Sequence, residues 1–127
     1  MLEKTQESFI LKHNYKPYPL VLERFYDWEK NHSKKIYLTQ PVEGKVSTYT
    51  FAQVGDQARR MAAHLKTLNL PPLSKVGLLS KNCAHWIMSD IAIMMAGHVS
   101  IPIYPTLNAK SINQILLHSE AKAIIIG

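Results

Sequence analysis

The sequence predicts an α/β fold in which an N-terminal helix and a β-hairpin precede a βαβαβ segment with a parallel sheet. Apolar, strand-like runs begin at Lys75, Val99 and Lys122, at intervals of 24 and 23 residues that carry helical patterns. Such intervals are typical of parallel crossover connections. Earlier in the chain, turn-forming residues separate two β-branched runs, which indicates a hairpin. The composition, 46% hydrophobic and 19% charged in 127 residues, is that of a globular protein.

We expect two parts of one domain, with a boundary after residue 74. Residues 1–74 would form an arm, a helix, a hairpin and a capped helix, and residues 75–127 would form the βαβαβ segment. The first eighteen residues show no periodicity, which predicts an irregular lead-in. A helix is predicted over residues 20–31. Its apolar side would carry Leu22, Phe25, Tyr26 and Trp28.

The predicted hairpin joins strands over residues 35–39 and 46–50 through a turn at residues 41–45. Thr50 and Gln53 then match a capping box, in which each side chain bonds a backbone amide at the start of a helix. That helix would bury one continuous stripe. The stripe comprises Phe51, Val54, Ala58, Met61, Leu65 and Leu68.

Local signals also predict an ion pair on the surface of this second helix and the position where the helix ends. Asp56 and Arg60 are spaced to pair on its outer surface. Asn69 favours the left-handed conformation that ends a helix, and Pro71 and Pro72 cannot continue one.

Two crossover helices with different surroundings are predicted in the second half. The first, residues 84–96, is apolar nearly all round, so it should contact protein on more than one side. The second, residues 109–119, has Asn108 as its N-cap and is amphipathic, so it should lie at a surface. Its inward residues would be Ile112, Ile115 and Leu116.

The residue chemistry assigns no catalytic, cofactor-binding or metal-binding residue. The five glycines are too far apart for a phosphate-binding loop, and the six histidines form no metal-binding pair. Cys83 is interpreted as a small buried hydrophobe; the alternative, a nucleophile, needs a base, and His85 is badly spaced for that role. Asp90 is interpreted as structural, with a functional role as the alternative. His98, after Gly97, is expected to bond the carbonyls of a helix end.

Charge and cysteine usage limit the partners and the compartment. The net charge is +6 and the pI is near 9.5, but the basic residues are scattered without interleaved aromatics, so we expect no nucleic-acid partner. The single cysteine suits a reducing compartment. Charged residues near the N-terminus replace the apolar core of a signal peptide, which indicates a cytoplasmic protein. Asp90, Gly97 and Pro102 interrupt the most apolar stretch, which argues against a membrane-spanning helix.

Residues 48–127 resemble the opening of the adenylate-forming superfamily, which includes the AMP-forming acyl-CoA synthetases. Tyr104 to Leu107 (YPTL) together with His118 to Lys122 (HSEAK) are most similar to long-chain fatty acid–CoA ligases. The other matching segments are residues 49–54, 60–65, 75–82, 96–97, 101–107, 115–116 and 119–123, together with Trp86. Two positions depart from the family pattern: Asn69 stands where a helix-ending glycine is usual, and Leu73-Ser74 replaces the usual Gly-Asp pair before the first parallel strand.

The resemblance implies a large parent enzyme that uses ATP, Mg²⁺ and coenzyme A to convert a fatty acid into acyl-CoA, AMP and pyrophosphate through an acyl-adenylate. The residues that the family uses for this chemistry come after the equivalent of Gly127, so the chain is expected to be an inactive N-terminal fragment with no bound cofactor. The resemblance leaves open a peripheral contact with a membrane.

Two further expectations follow from the interpretation as a fragment. Ile124, Ile125 and Ile126, and much of the helix around residues 91–95, should expose apolar surface, and the open sheet edge should favour self-association. The main alternative is a stand-alone α/β interaction module without an active site, which would need a polar outer face on the helix at residues 84–96. A receiver-like or flavodoxin-like domain is a third hypothesis, but it would need acids or a phosphate loop where Ser80-Lys81-Asn82 stands.

Overall fold

The structure, a computed structural model, describes residues 18–127 and has the predicted order of helices and strands. The elements are α1 (Val21–His32), β1 (Ile36–Val42), β2 (Lys45–Thr50), α2 (Phe51–Thr67), β3 (Lys75–Leu79), α3 (Ala84–Met95), β4 (Val99–Ile103), α4 (Ala109–Ser119) and β5 (Ala123–Ile126). The predicted lead-in falls almost entirely outside the described residues. The division after residue 74 stays a prediction.

The α1 helix packs through a narrower apolar face than its sequence predicts. Phe25 is buried and Leu22 is half-buried, but Tyr26 and Trp28 remain largely exposed. Phe25 meets an aromatic cluster in which the rings of Tyr37 and Phe51 stack with centroids 4.4 Å apart. This cluster joins α1, the hairpin and the first turn of α2.

The hairpin of β1 and β2 has a tighter turn than predicted. Pro41 and Val42 belong to β1, where they pair with Val46 and Lys45, so the predicted five-residue turn is wrong. The actual turn is Glu43-Gly44, with φ of +47° and +77°. Two consecutive positive φ angles are typical of the type I′ turn, whose twist matches that of the strands it joins.

The α2 helix begins where the sequence predicts. It ends at Thr67, one residue before Leu68, which is the last residue of the predicted apolar stripe. The Thr50 hydroxyl accepts from Gln53 N at 3.2 Å, and Gln53 Oε1 accepts from Thr50 N at 2.9 Å, which confirms the capping box. Leu68 lies just beyond the helix and is 47% exposed, so its predicted burial is wrong. Asn69 has the predicted left-handed conformation, with φ +50°.

The rest of the α2 stripe is confirmed in part and extended. Val54, Ala58 and Leu65 are buried, whereas Phe51 and Met61 are only half-buried. The structure adds Gly55 and Ala62 to the buried residues. Asp56 and Arg60 form the predicted ion pair on the exposed side. A second ion pair, between Arg59 and Glu29 of α1, was not predicted from the sequence.

The second half of the chain forms a parallel sheet with strand order β4-β3-β5. Along β3, Val76 and Leu78 are fully buried in a core that includes Leu65 of α2 and Ile93 of α3. Gly77 points to the opposite face, where a Cβ atom would lie 3.1 Å from the Leu116 side chain of α4. Helices therefore cover both faces of the sheet, as in doubly wound α/β folds.

The α3 helix is enclosed on two sides, by α2 and by the sheet. Ile91, Ala92 and Ile93 are buried, so the predicted exposure of this helix was wrong: α2 covers the surface that the sequence left without a partner. His85 is the one exposed residue of α3. The helix thus lacks the polar outer face that the interaction-module hypothesis requires.

The end of α3 is capped by backbone groups. Gly97, at φ +81°, donates through its amide to Met94 O at 3.0 Å, and His98 N donates to Ile93 O at 3.0 Å. These are the two bonds of a Schellman motif. The predicted role of His98 is therefore filled by its backbone amide, while its buried Nδ1 has no partner within residues 18–127.

The α4 helix covers its face of the sheet loosely. Asn108 Oδ1 accepts from Ser111 N at 2.9 Å, which confirms the predicted N-cap. The predicted surface position is also confirmed, because the inward residues Ile112, Ile115 and Leu116 are only half-buried and no α4 residue is fully buried. Nearby in β5, Ile124 and Ile126 are exposed, as expected, and Ile125 is half-buried.

Candidate functional site

The carboxyl ends of β3 and β4 border a pocket of about 390 Å³. Its lining combines a few polar groups with aromatic and proline side chains. The lining residues are Ser80, Asn82, Trp86, Pro102, Ile103, Tyr104 and Pro105. Ligands of open parallel sheets bind in the crevice outside the carboxyl ends of the strands, so this edge is the candidate functional site.

A second pocket, of about 160 Å³, lies on the other side of Ser80 and Trp86 and reaches β5. Ile125, Ile126 and Gly127 form its β5 side, and His85 and Ser89 contribute from α3. In the sheet, β4 lies on one side of β3, and the chain then crosses back so that β5 lies on the other side of β3. The gap between β3 and β5 is therefore the point where the strand order reverses, which favours ligand binding. We call the two pockets together the carboxyl-edge site.

A long-range contact fixes the start of α3 at this site. Cys83 occupies the N-cap position but provides no side-chain cap. Gln40 of β1 replaces it, because Gln40 Oε1 accepts from Ala84 N at 2.8 Å. The hairpin thereby holds the first turn of α3, which carries Trp86, against the sheet. The sequence gives one signal for this contact, which is the lack of a capping side chain at position 83.

The polar residues singled out in the sequence do not converge on a reaction centre. Cys83 is half-buried rather than fully buried. The ring of His85 packs edge-on against Tyr49, with centroids 5.9 Å apart, which gives it a packing role. Asp90 is half-buried near Tyr37: burial raises the pKa of the Tyr37 hydroxyl, and the negative charge of Asp90 raises it further. This agrees with a structural role for Asp90.

The residues of the carboxyl-edge site do not by themselves fit a nucleoside triphosphate and its metal. The Ser80 hydroxyl already donates to Lys81 O at 3.1 Å. Gly127 is the one glycine lining either pocket, and a Cβ there would lie 3.0 Å from Ser80 Oγ. Within residues 18–127, no group of three or more His, Cys, Asp or Glu side chains could hold a metal ion. We therefore derive no phosphate-binding step from these residues.

None of the helices within residues 18–127 has both the length and the apolar character needed to cross a membrane.

Comparison with known proteins identifies the family. The model of the AMP-binding enzyme family matches residues 25–127. The chain belongs to this family. Its curated relatives include the long-chain-fatty-acid–CoA ligase heimdall of Drosophila melanogaster, 25% identical over 80 residues, which are 63% of this chain and 12% of the relative. Long chain acyl-CoA synthetase 4 of Arabidopsis thaliana is 28% identical over 88 residues, covering 67% of this chain and 13% of that protein.

Solved structures of adenylate-forming enzymes show the same fold. The fatty acid AMP ligase from Legionella pneumophila aligns with a TM-score of 0.76 and 21% identity, over 83% of this chain and 19% of that chain. The N-terminal subdomain of Klebsiella oxytoca NpsA, in complex with anthranilyl-AMSN, aligns with a TM-score of 0.76 and 18% identity, over 84% of this chain and 27% of that chain. The predicted family resemblance and the α/β fold class are confirmed. This chain spans only a small part of each relative's length.

Proposed function

We propose that this chain is the N-terminal part of a long-chain fatty acid–CoA ligase. The family match over residues 25–127 supports an AMP-binding enzyme, and long-chain ligases are among its curated relatives. The parent would convert ATP, a fatty acid and coenzyme A into acyl-CoA, AMP and pyrophosphate, with Mg²⁺ assisting adenylate formation. The parent would be an acid–thiol ligase of fatty acid metabolism in the cytoplasm.

Within that parent, this chain would contribute one wall of the ligand crevice rather than reactive groups. The carboxyl-edge site offers apolar and aromatic surface, from Trp86, Ile103 and Tyr104, and neutral polar groups, from Ser80 and Asn82. Such a lining suits an apolar or planar part of a ligand. It lacks the acids and the glycine-rich loop that phosphoryl chemistry requires, so the chain alone would be catalytically inactive.

The experiment is fatty-acid-dependent ATP–pyrophosphate exchange. It compares the 127-residue chain with the product of any longer reading frame that continues past codon 127. We expect no exchange from the chain and exchange from the longer product with long-chain acids. Acetate and free amino acids serve as control substrates. Exchange with amino acids but not fatty acids would keep the family and refute the substrate class. If the frame ended at codon 127 and the chain bound no nucleotide, the interaction-module hypothesis would replace the ligase.

We also propose that the chain self-associates through the β5 edge. The order β4-β3-β5 makes β5 an edge strand among residues 18–127, and it exposes Ile124 and Ile126 beside its unpaired backbone. Exposed apolar edges of this kind pair with other chains. Sedimentation velocity over a range of concentrations is the test, with Ile126→Lys as the disrupting variant. A chain that stays monomeric at high concentration would contradict the proposal.

A further inference from the structure

The hairpin of β1 and β2 has two lateral edges, and its turn determines which backbone groups each edge exposes. Val42 and Lys45 face each other on either side of the turn Glu43-Gly44. In a two-residue turn, the amide after the turn donates to the carbonyl before it, so this pair is hydrogen-bonded. Bonded and non-bonded pairs alternate along an antiparallel ladder. The pairs whose backbone groups point outward are therefore Pro41–Val46 and Thr39–Thr48.

A proline closes the β1 edge. Pro41 has no amide hydrogen, and its carbonyl oxygen accepts from Gln40 Nε2 at 3.3 Å. The Gln40 side chain also holds β1 against the start of α3, through Ala84 N. A strand from another chain could not continue a ladder past Pro41, so this edge is protected.

The β2 edge lacks such protection. The outward amide and carbonyl groups of Val46 and Thr48 form no hydrogen bond with any residue between 18 and 127. Val46 is 65% exposed, and Ser47 and Thr48 are exposed as well. The free stretch ends at Thr50, whose amide donates to Gln53 Oε1. Edge strands in native proteins usually carry a proline, a charge or a cover, so a bare β-branched edge indicates pairing with another strand.

A second copy of β2 is complementary to this edge. The free groups belong to the two residues that flank Ser47. An antiparallel copy related by a two-fold axis at Ser47 therefore places Val46 opposite Thr48 of the second copy, and Thr48 opposite the second Val46. Each of these pairs exchanges both of its backbone hydrogen bonds. The β-branched side chains of Val46 and Thr48 also meet across the strands, which is favourable.

The charges of the hairpin agree with this register. Lys45 faces Tyr49 of the second copy, so the two copies of Lys45 are four positions apart along the strands. At about 3.3 Å per residue, this offset is about 13 Å, which exceeds the screening length of about 8 Å at physiological salt. Val46, Ser47 and Thr48 are uncharged, so nothing in the free stretch selects an acidic or basic peptide instead.

We propose that two copies of this chain pair through β2 and form a four-stranded antiparallel sheet from their hairpins. This contact is separate from the one proposed for β5, which belongs to the parallel sheet. The proposal goes beyond the ligase function and depends on the hairpin alone.

The first test is sedimentation velocity of the 127-residue chain with Ile126→Lys, which removes the β5 contact. Adding Thr48→Pro deletes an outward amide and leaves the β1–β2 ladder intact. Two equivalent hydrogen bonds are lost per dimer, so the dissociation constant should rise roughly 30-fold. The matched control is Thr39→Pro, the same substitution at the directly opposite residue on the protected edge. It should leave the dimer unchanged. Thermal unfolding followed by circular dichroism checks the fold of both variants.

The second test is a crosslink that remains informative if a proline variant fails to fold. In a Cys83→Ser background, Ser47→Cys places two thiols at the proposed axis. Residues of a non-bonded antiparallel pair have Cα atoms about 4.5 Å apart, which a disulfide can span. Mild oxidation should therefore give a covalent dimer. Thr39→Cys, on the protected edge, should stay monomeric.

Three results would overturn the proposal. One is an Ile126→Lys chain that remains monomeric at about 1 mM, which would leave the β2 edge to a strand of another protein. Another is an equal loss of dimer in Thr48→Pro and Thr39→Pro. The last is a Ser47→Cys chain that crosslinks no faster than Thr39→Cys.

Discussion

The two faces of the parallel sheet differ in how completely the chain covers them. On one face, Val76 and Leu78 of β3 meet Ile93 of α3 and Leu65 of α2, and all four are buried. On the other face, α4 has no buried residue, and Ile126 of β5 is 71% exposed. The difference shows that α2 and α3 complete a core with residues of this chain alone, whereas the α4 face is only partly covered by the described residues.

The largest expected effect on stability comes from truncating an isoleucine on the covered face of the sheet, compared with an isoleucine on the other face. Ile93→Ala, on the covered face, should lower the free energy of unfolding by about 2 to 5 kcal/mol, because it leaves a cavity in a packed core. Ile115→Ala removes the same atoms from half-buried α4 and should cost about 1 kcal/mol. Urea unfolding of the two variants measures both values. Equal losses would contradict the comparison, since they would mean that α4 packs as tightly as α3.

Gly55 allows a second test of the covered side. A Cβ at position 55 would lie 1.9 Å from Oε1 of Glu29, whose carboxylate pairs with Arg59 and whose side chain is 15% exposed. Alanine favours a helix over glycine by about 1 kcal/mol, but the clash would displace the partly buried carboxylate. We expect Gly55→Ala to destabilise the chain by about 1 kcal/mol net.

The matched control for Gly55→Ala is the same change in a Glu29→Ala background. The clash with Glu29 is then absent, and the remaining close atom, Arg59 Nη1 at 2.9 Å, is the far end of a flexible side chain that can move away. The substitution should therefore become stabilising by up to about 1 kcal/mol. This change of sign, measured by urea unfolding, distinguishes a steric effect of Glu29 from a general requirement for glycine. A destabilisation that persists in the Glu29→Ala background would refute the explanation.

The sequence predicted the local signals at helix ends well and contacts between distant segments poorly. The Thr50 capping box, the Asn108 N-cap and the left-handed Asn69 each depend on a few adjacent residues, and all three are confirmed. The cap that Gln40 supplies to α3 joins residues that are 44 positions apart, so the missing cap at Cys83 is a local signal but no local pattern identifies Gln40 as its replacement. The predicted exposure of α3 failed for a related reason, because the sequence does not show which surface α2 covers.

Similar limits applied to the candidate site. The sequence predicted a parallel sheet, and such sheets in general bind ligands at their carboxyl edge. It could not identify Ser80 and Trp86 as the residues shared by both pockets, since that depends on how α3 crosses the sheet.

Gln40 provides the third test, at the junction of the hairpin and the covered face. Gln40→Ala removes the acceptor for Ala84 N and should cost about 1 kcal/mol of stability, as for the loss of a helix N-cap. Gln40→Glu keeps an acceptor oxygen and places a negative charge at a helix N-terminus, so it should preserve stability. Thermal unfolding of the pair tests this. Similar losses in both variants would show that the amide nitrogen, not the oxygen, matters.

Substitutions at the ends of α3 and α4 should have effects of opposite sign on stability. Both helices end in the same pair of backbone bonds, but the left-handed residue is Gly97 on the covered face and Glu120, at φ +55°, on the other. Glu120→Gly should therefore stabilise the chain by up to about 1 kcal/mol, because glycine adopts this conformation without a steric penalty. Gly97→Ala should destabilise it by about 1 to 2 kcal/mol. A Glu120→Gly variant that melts at a lower temperature than the wild type would contradict this account.

The smallest expected effect is a pH dependence that originates at Tyr37 on the covered side. Burial, followed by the nearby charge of Asp90, raises the pKa of Tyr37 above its usual value near 10. The unfolded chain therefore loses this proton at a lower pH than the folded chain does. The resulting stabilisation is fully present below about pH 10 and is lost as pH rises through the folded pKa.

Because other tyrosines and the lysines titrate in the same range, the informative quantity is the difference between wild type and Tyr37→Phe. The free energy of unfolding of the wild type should fall more steeply above about pH 10 than that of Tyr37→Phe. Parallel curves would mean that the Tyr37 hydroxyl titrates alike in both states, and that the aromatic cluster leaves it open to water.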